Sequence, residues 1–81
     1  MNFRELIESK GITPNQLADA IGCSRTNVKL WVLGDSFPKP ESVKKIVKGF
    51  AVMGIEVTHE EVFRSLLYTR REKMWGPNAV K

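Results

Sequence analysis

Within five positions the chain sets Arg25, Thr26, Asn27 and Lys29. Together they offer a guanidinium fork, a hydroxyl with a methyl beside it, an amide that both donates and accepts, and an ammonium. Such a set suits hydrogen bonding to a patterned polar surface. Catalytic chemistry is not indicated. The chain holds one cysteine, Cys23, and one histidine, His59, and no two residues form a recognisable acid–base, nucleophile or metal constellation. One Cys and one distant His cannot supply the usual ligands of a structural zinc site, and a lone Cys forms no internal disulfide. Cys23 has no nearby His to activate it and is expected to be a small residue packed in a turn. The expectation is a protein that is not an enzyme and carries no cofactor or metal.

Charge suggests the kind of surface involved. The net charge is +4, from 13 Lys and Arg against 9 Asp and Glu in 81 residues. Between Gly22 and Lys48 there are six basic residues (Arg25, Lys29, Lys39, Lys44, Lys45, Lys48) against two acidic ones (Asp35, Glu41), so this window alone carries the whole excess. A local basic surplus suggests a polyanionic partner. The alternative is a solvated face that only serves solubility.

The elements that position these residues are helices; no clean strand alternation or hairpin turn is present. Asn2 with Glu5 forms a capping box ahead of the apolar positions Phe3, Leu6 and Ile7. Thr13 with Gln16 forms a second, with Pro14 at the first helical position. That helix runs to Ile21, where Gly22 stops it. Ser24 caps a third helix, with Val28, Trp31 and Val32 inward and Gly34 at its end. After the loop DSFPKP, a fourth runs from about Pro40 to Met53, with Gly49 marking close packing. Thr58 and Glu61 open a fifth, expected to turn Val62, Phe63, Leu66 and Leu67 inward and to end near Lys73 before an irregular WGPNAVK. His59 is expected at an exposed helix start, without a role.

Two-turn helices do not stand alone. Small Ala18 and Cys23, with the turn at Gly22, let the third helix cross the second over Leu17, Ile21, Val28 and Trp31. That packing leaves Arg25 to Asn27 outside. The segment ITPNQLADAIGCSRTNVKLWVLG resembles the helix-turn-helix of the phage-repressor and Cro-like (XRE) family, whose usual form is T-Q-x-x-L-A-x-x-x-G-V-S-x-x-x-V-S-x-W-E-x-G. Thr13, Leu17, Ala18, Gly22, Ser24, Val28, Trp31 and Gly34 match in register. The segment KPESVKKIVKGFAVMGIEVTHEEVFRSLL looks like the family's fourth and fifth helices. Pro14, Lys29 and Val32 stand where the pattern has Gln, Ser and Glu.

The resemblance implies a compact, all-α, five-helix lambda-repressor-like domain over residues 1–69, with a helix extension and tail over residues 70–81. It implies that the third helix enters the major groove of double-stranded DNA. Arg25, Thr26, Asn27 and Lys29 would then read bases: the guanidinium on guanine O6 and N7, the Asn27 amide on adenine. Asn15, Gln16, Ser36, Lys39 and Lys44 would hold phosphates. Trp31 belongs to the core. The function implied is a sequence-specific regulator, a repressor or Cro-like switch protein. A homodimer on a near-palindromic operator is expected, formed in solution or only on DNA. Leu67, Tyr68, Met74 and Trp75 are the candidates for its interface; the alternative is that Met74 and Trp75 fold back on their own monomer. A rival reading is an antitoxin-like or antirepressor-type protein that acts mainly through a protein partner. No apolar run spans a bilayer and the first residues are no signal peptide, so the cytoplasm, on the nucleoid, is the expected location.

Overall fold

The computed structural model describes the backbone of residues 1–79 and the side chains of residues 1–74. All of its helices but α4 begin where a side chain supplies an acceptor for otherwise orphaned N–H groups. In α1 (Phe3–Ser9) the Glu5 N–H donates to Asn2 Oδ1 at 2.7 Å and the Asn2 N–H to Glu5 Oε1 at 2.9 Å. In α2 (Pro14–Ile21) the Gln16 N–H donates to Thr13 Oγ1 at 3.2 Å and the Thr13 N–H to Gln16 Oε1 at 2.9 Å. Ser24 Oγ caps α3 (Arg25–Leu33) by accepting from the Asn27 N–H at 3.1 Å. Lys39 precedes α4 (Pro40–Val52) and makes no side-chain cap. Thr58 and Glu61 cap α5 (His59–Ala79) reciprocally, at 3.0 and 3.2 Å. The described residues contain no strand.

The core draws on every helix. Phe3, Ile7, Leu17, Val28, Val43, Ile46, Phe50, Val62 and Leu66 are fully buried. α2 packs against both α3 and α4. Ala18 is fully buried, and a Cβ on Gly49 would lie 2.8 Å from Ile21 Cγ1. Gly49 therefore does mark a close approach, between α4 and the end of α2. Gly22 turns the chain with φ +81°, a conformation costly for a residue with a Cβ.

α5 departs from expectation in two ways. Phe63 and Leu67 were expected inward, yet each is 40% exposed. The buried stripe is Val62, Ser65, Leu66 and Thr69, the i, i+3, i+4, i+7 face of a helix. Hydroxyls are tolerated there because they are bonded. Thr69 Oγ1 accepts from the Phe3 N–H at 2.8 Å, a first-turn donor of α1, and its hydroxyl donates to the Ser65 carbonyl at 3.0 Å. The Ser65 hydroxyl donates to the Val62 carbonyl at 2.7 Å. Phe63 instead meets Phe37 edge-to-face at 5.8 Å and stacks with His59 at 6.3 Å. His59 is exposed at the helix start, as expected.

The second departure is the end of α5. The helix runs through Gly76 and Pro77 to Ala79, where an irregular tail was expected; Val80 and Lys81 lie outside the described residues. Proline costs a helix one N–H bond and crowds the preceding turn, but it does not end this one. The last turns before it are braced: Asn2 Nδ2 donates to Glu72 Oε1 at 2.9 Å, and Lys73 Nζ lies 2.8 Å from Asp35 Oδ1. Gly34, buried at the end of α3 with φ +79°, lies so close to α5 that a Cβ would meet Lys73 Cβ at 2.8 Å and the Thr69 carbonyl at 3.0 Å. α5 crosses the expected boundary after Thr69 without a break.

Candidate nucleic-acid interface

α3 has two unlike sides. Val28 and Trp31, one turn apart, are buried against the core, and Val32 beside them is buried too. Arg25, Thr26, Asn27 and Lys29 are all exposed. Short, capped and pinned from beneath, the helix holds these four side chains on a rigid base. The capping bond at Ser24 is made by the Asn27 backbone N–H, and its side-chain amide is bonded to no group among the described residues.

Arg25 is engaged. Its Nε donates to Asp19 Oδ1 at 3.4 Å and its Nη2 to Asp19 Oδ2 at 3.1 Å. These hydrogen bonds, and the negative charge of the same carboxylate, push the guanidinium pKa further up, so Arg25 is cationic at every physiological pH. Asp19 was not singled out by the sequence, because six residues and a turn separate the pair.

A groove borders α3 on each side. One, of about 370 Å³, is lined by Arg4 of α1, by Thr13, Pro14 and Asn15 at the start of α2, and by Arg25, Thr26 and Lys29. It brings Asn15 together with three cations beside the N-terminus of α2. The other, of about 300 Å³, runs from Asn27 and Trp31 to Ser36, Lys39 and Ser42. It ends at the start of α4, where no side-chain cap competes for the first N–H groups. Phe37, held by Phe63, fixes the loop that carries Ser36 and Lys39. Gln16 and Lys44 line neither groove; the Gln16 carbonyl oxygen is committed to its cap, and Lys44 lies exposed on α4. Arg4 and Ser42 were missed by the sequence reading. Nothing local marks them; only the packing of α1 and α4 brings them beside α3.

Cys23 is half-buried in the turn, and its thiol donates to the Ser24 carbonyl at 3.6 Å. Burial pushes its pKa up, the wrong direction for a nucleophile. Among the described residues no group of His, Cys, Asp and Glu could hold a metal ion. No described helix is long and apolar enough to cross a membrane. Of the expected interface residues, Leu67, Tyr68 and Met74 are 40, 49 and 70% exposed; the Trp75 side chain lies outside the described residues.

No curated protein and no solved structure matches the chain significantly. A family model described as helix-turn-helix matches residues 3–52, the span from the first residue of α1 to the last of α4. α5 lies outside the match. The matched span is well over half of the 81 residues, and the chain belongs to the helix-turn-helix family of Cro- and repressor-like DNA-binding proteins.

Proposed function

We propose that the protein is a sequence-specific transcriptional regulator, a small repressor or Cro-like switch protein, that lays α3 in the major groove. The observation that carries this is the division of α3 itself: its apolar side is buried in the core, and its capped first turns present Arg25, Thr26, Asn27 and Lys29. The major groove displays a distinct pattern of donors, acceptors and methyls for each base pair. Arg25 matches guanine O6 and N7, Asn27 matches adenine N6 and N7, and Thr26 offers both a hydroxyl and a methyl for thymine. Lys29, one turn beyond Arg25, reaches a base or the backbone.

Phosphates on the two strands would be held from the flanking grooves and, at Gln16 and Lys44, from the exposed helix surface beside them. Arg4, Asn15 and the Gln16 amide serve on the side of α2. Ser36, Lys39, Ser42 and Lys44 serve on the side of α4, helped by the uncapped N–H groups at its start. These contacts set register and carry no base information.

In this reading residues 1–69 form the DNA-binding unit, and the helix extension and C-terminal tail over residues 70–81 serve assembly. One recognition helix reads too few base pairs to single out a genomic site. A homodimer on a near-palindromic operator, with half-sites about one helical turn apart, removes that shortfall. Exposed Leu67, Tyr68 and Met74, with Trp75, are assigned to its interface. The same exposed residues favour a second reading, in which α5 docks a protein partner and the chain acts as an antitoxin-like or antirepressor-type protein. Selection of bound sequences from a random DNA pool at stated salt tests the regulator, and copurification with a protein partner would favour the second reading. A two-fold symmetric consensus supports the regulator. Failure to enrich any sequence contradicts it.

A further inference from the structure

We propose that Asp19 is a positioning residue for base recognition: it holds the Arg25 guanidinium by one edge and leaves the other edge free for guanine. This rests on the reading of α3 as the recognition helix. A guanidinium carries five N–H donors in a planar fork. Asp19 meets the edge formed by Nε and Nη2, at 3.4 and 3.1 Å. The edge formed by Nη1 and the second Nη2 hydrogen remains open. Two parallel bonds from that edge are what guanine O6 and N7 accept.

The pair also shapes choice by charge. Arg25 shares its groove with Arg4 and Lys29, and a long, unrestrained arginine in such surroundings is as good a phosphate binder as a base reader. The Asp19 carboxylate on α2 counters this. It repels phosphate, and it fixes in advance a side chain that would otherwise lose freedom on binding. Both side chains are more than half exposed, at 62 and 61%, so the pair contributes little to folding. Folding stability alone therefore gives little reason for the pair.

The test compares the wild type, Asp19→Ala, Asp19→Asn and Arg25→Ala on the selected operator. Each is also measured on the same operator with its Arg25-dependent guanine pair changed, and on random DNA, at one salt concentration. Asp19→Ala is expected to cut the preference for the guanine pair about fivefold or more, while affinity for random DNA holds or rises. Asp19→Asn, which keeps the size but loses the carboxylate, should do the same. Circular dichroism should show both variants folded. An unchanged preference in Asp19→Ala, whatever its affinity, overturns the proposal; equal tightening on every DNA would make Asp19 a latch that masks Arg25. If Arg25→Ala itself leaves all preferences intact, base reading by Arg25 fails, and the role of Asp19 falls with it.

Discussion

The two ends of α3 are built to opposite rules. At its start, Arg25, Thr26 and Asn27 are exposed, and the ties found there are a Ser24 cap and a solvent-facing ion pair. At its end, Trp31 and Val32 are buried, and Gly34 is wedged under α5 against Thr69 and Lys73. One helix of nine residues thus joins a surface free to vary with an anchor that is not. The separation is physical. Side chains at the start add little to the core, so they can be chosen for what they touch outside. Those at the end are chosen by volume and backbone geometry. Substitutions should therefore split cleanly, with stability lost at one end and recognition lost at the other.

The largest effect on folding is expected at the anchored end. Trp31→Ala should cost about 3–5 kcal/mol, a large share of the stability of so small a domain, and should lower the thermal midpoint sharply. Gly34→Ala should also destabilise, by about 1–3 kcal/mol. The new Cβ meets two atoms of α5 within 3.0 Å at a backbone angle that L residues rarely adopt. A midpoint unchanged in both variants would remove the anchor from the account.

At the other end, Arg25→Ala should keep the thermal midpoint and lose roughly 5- to 150-fold in preference for operator over random DNA. Equal weakening on both DNAs would reduce Arg25 to a phosphate contact. Lys39→Ala should weaken all sequences alike and lower the salt slope by about one unit. An unchanged slope would take the groove at the start of α4 out of the interface. The smallest effect on one half-site should come from deletion after Lys73, which keeps the Asn2–Glu72 and Asp35–Lys73 ties but removes Met74 and all that follows. Single half-site affinity should hold while cooperativity across two half-sites falls. Full cooperativity in the truncated protein would exclude this end of α5 from assembly.

What was legible in the sequence is what local chemistry decides. Asn2–Glu5, Thr13–Gln16, Ser24 and Thr58–Glu61 cap the helices they announce, and Gly22 and Gly34 turn where they should. The spacing of Val28 and Trp31 gives the buried side of α3, and with it the exposed side. α5 was less legible. A hydrophobicity pattern cannot rank Phe63 and Leu67 against Ser65 and Thr69, because the hydroxyls are buried only by virtue of bonds to α1 and to their own helix. Gly76 and Pro77 signal a stop, whereas the helix continues through them to Ala79. Arg4 and Ser42 gain their place from the packing of α1 and α4 beside α3, and Asp19 from a partner six residues on across a turn, so no local signal marks them.

In the proposed complex the start of α3 reads base edges in the major groove. Methylation interference on the selected operator tests it most directly, because it modifies guanine N7 in the major groove and adenine N3 in the minor groove on the same DNA. N7 methylation of at least one guanine in each half-site should block the wild type, and Arg25→Ala should become indifferent to that same guanine. Interference confined to adenine N3, or guanine interference that Arg25→Ala leaves intact, would contradict it.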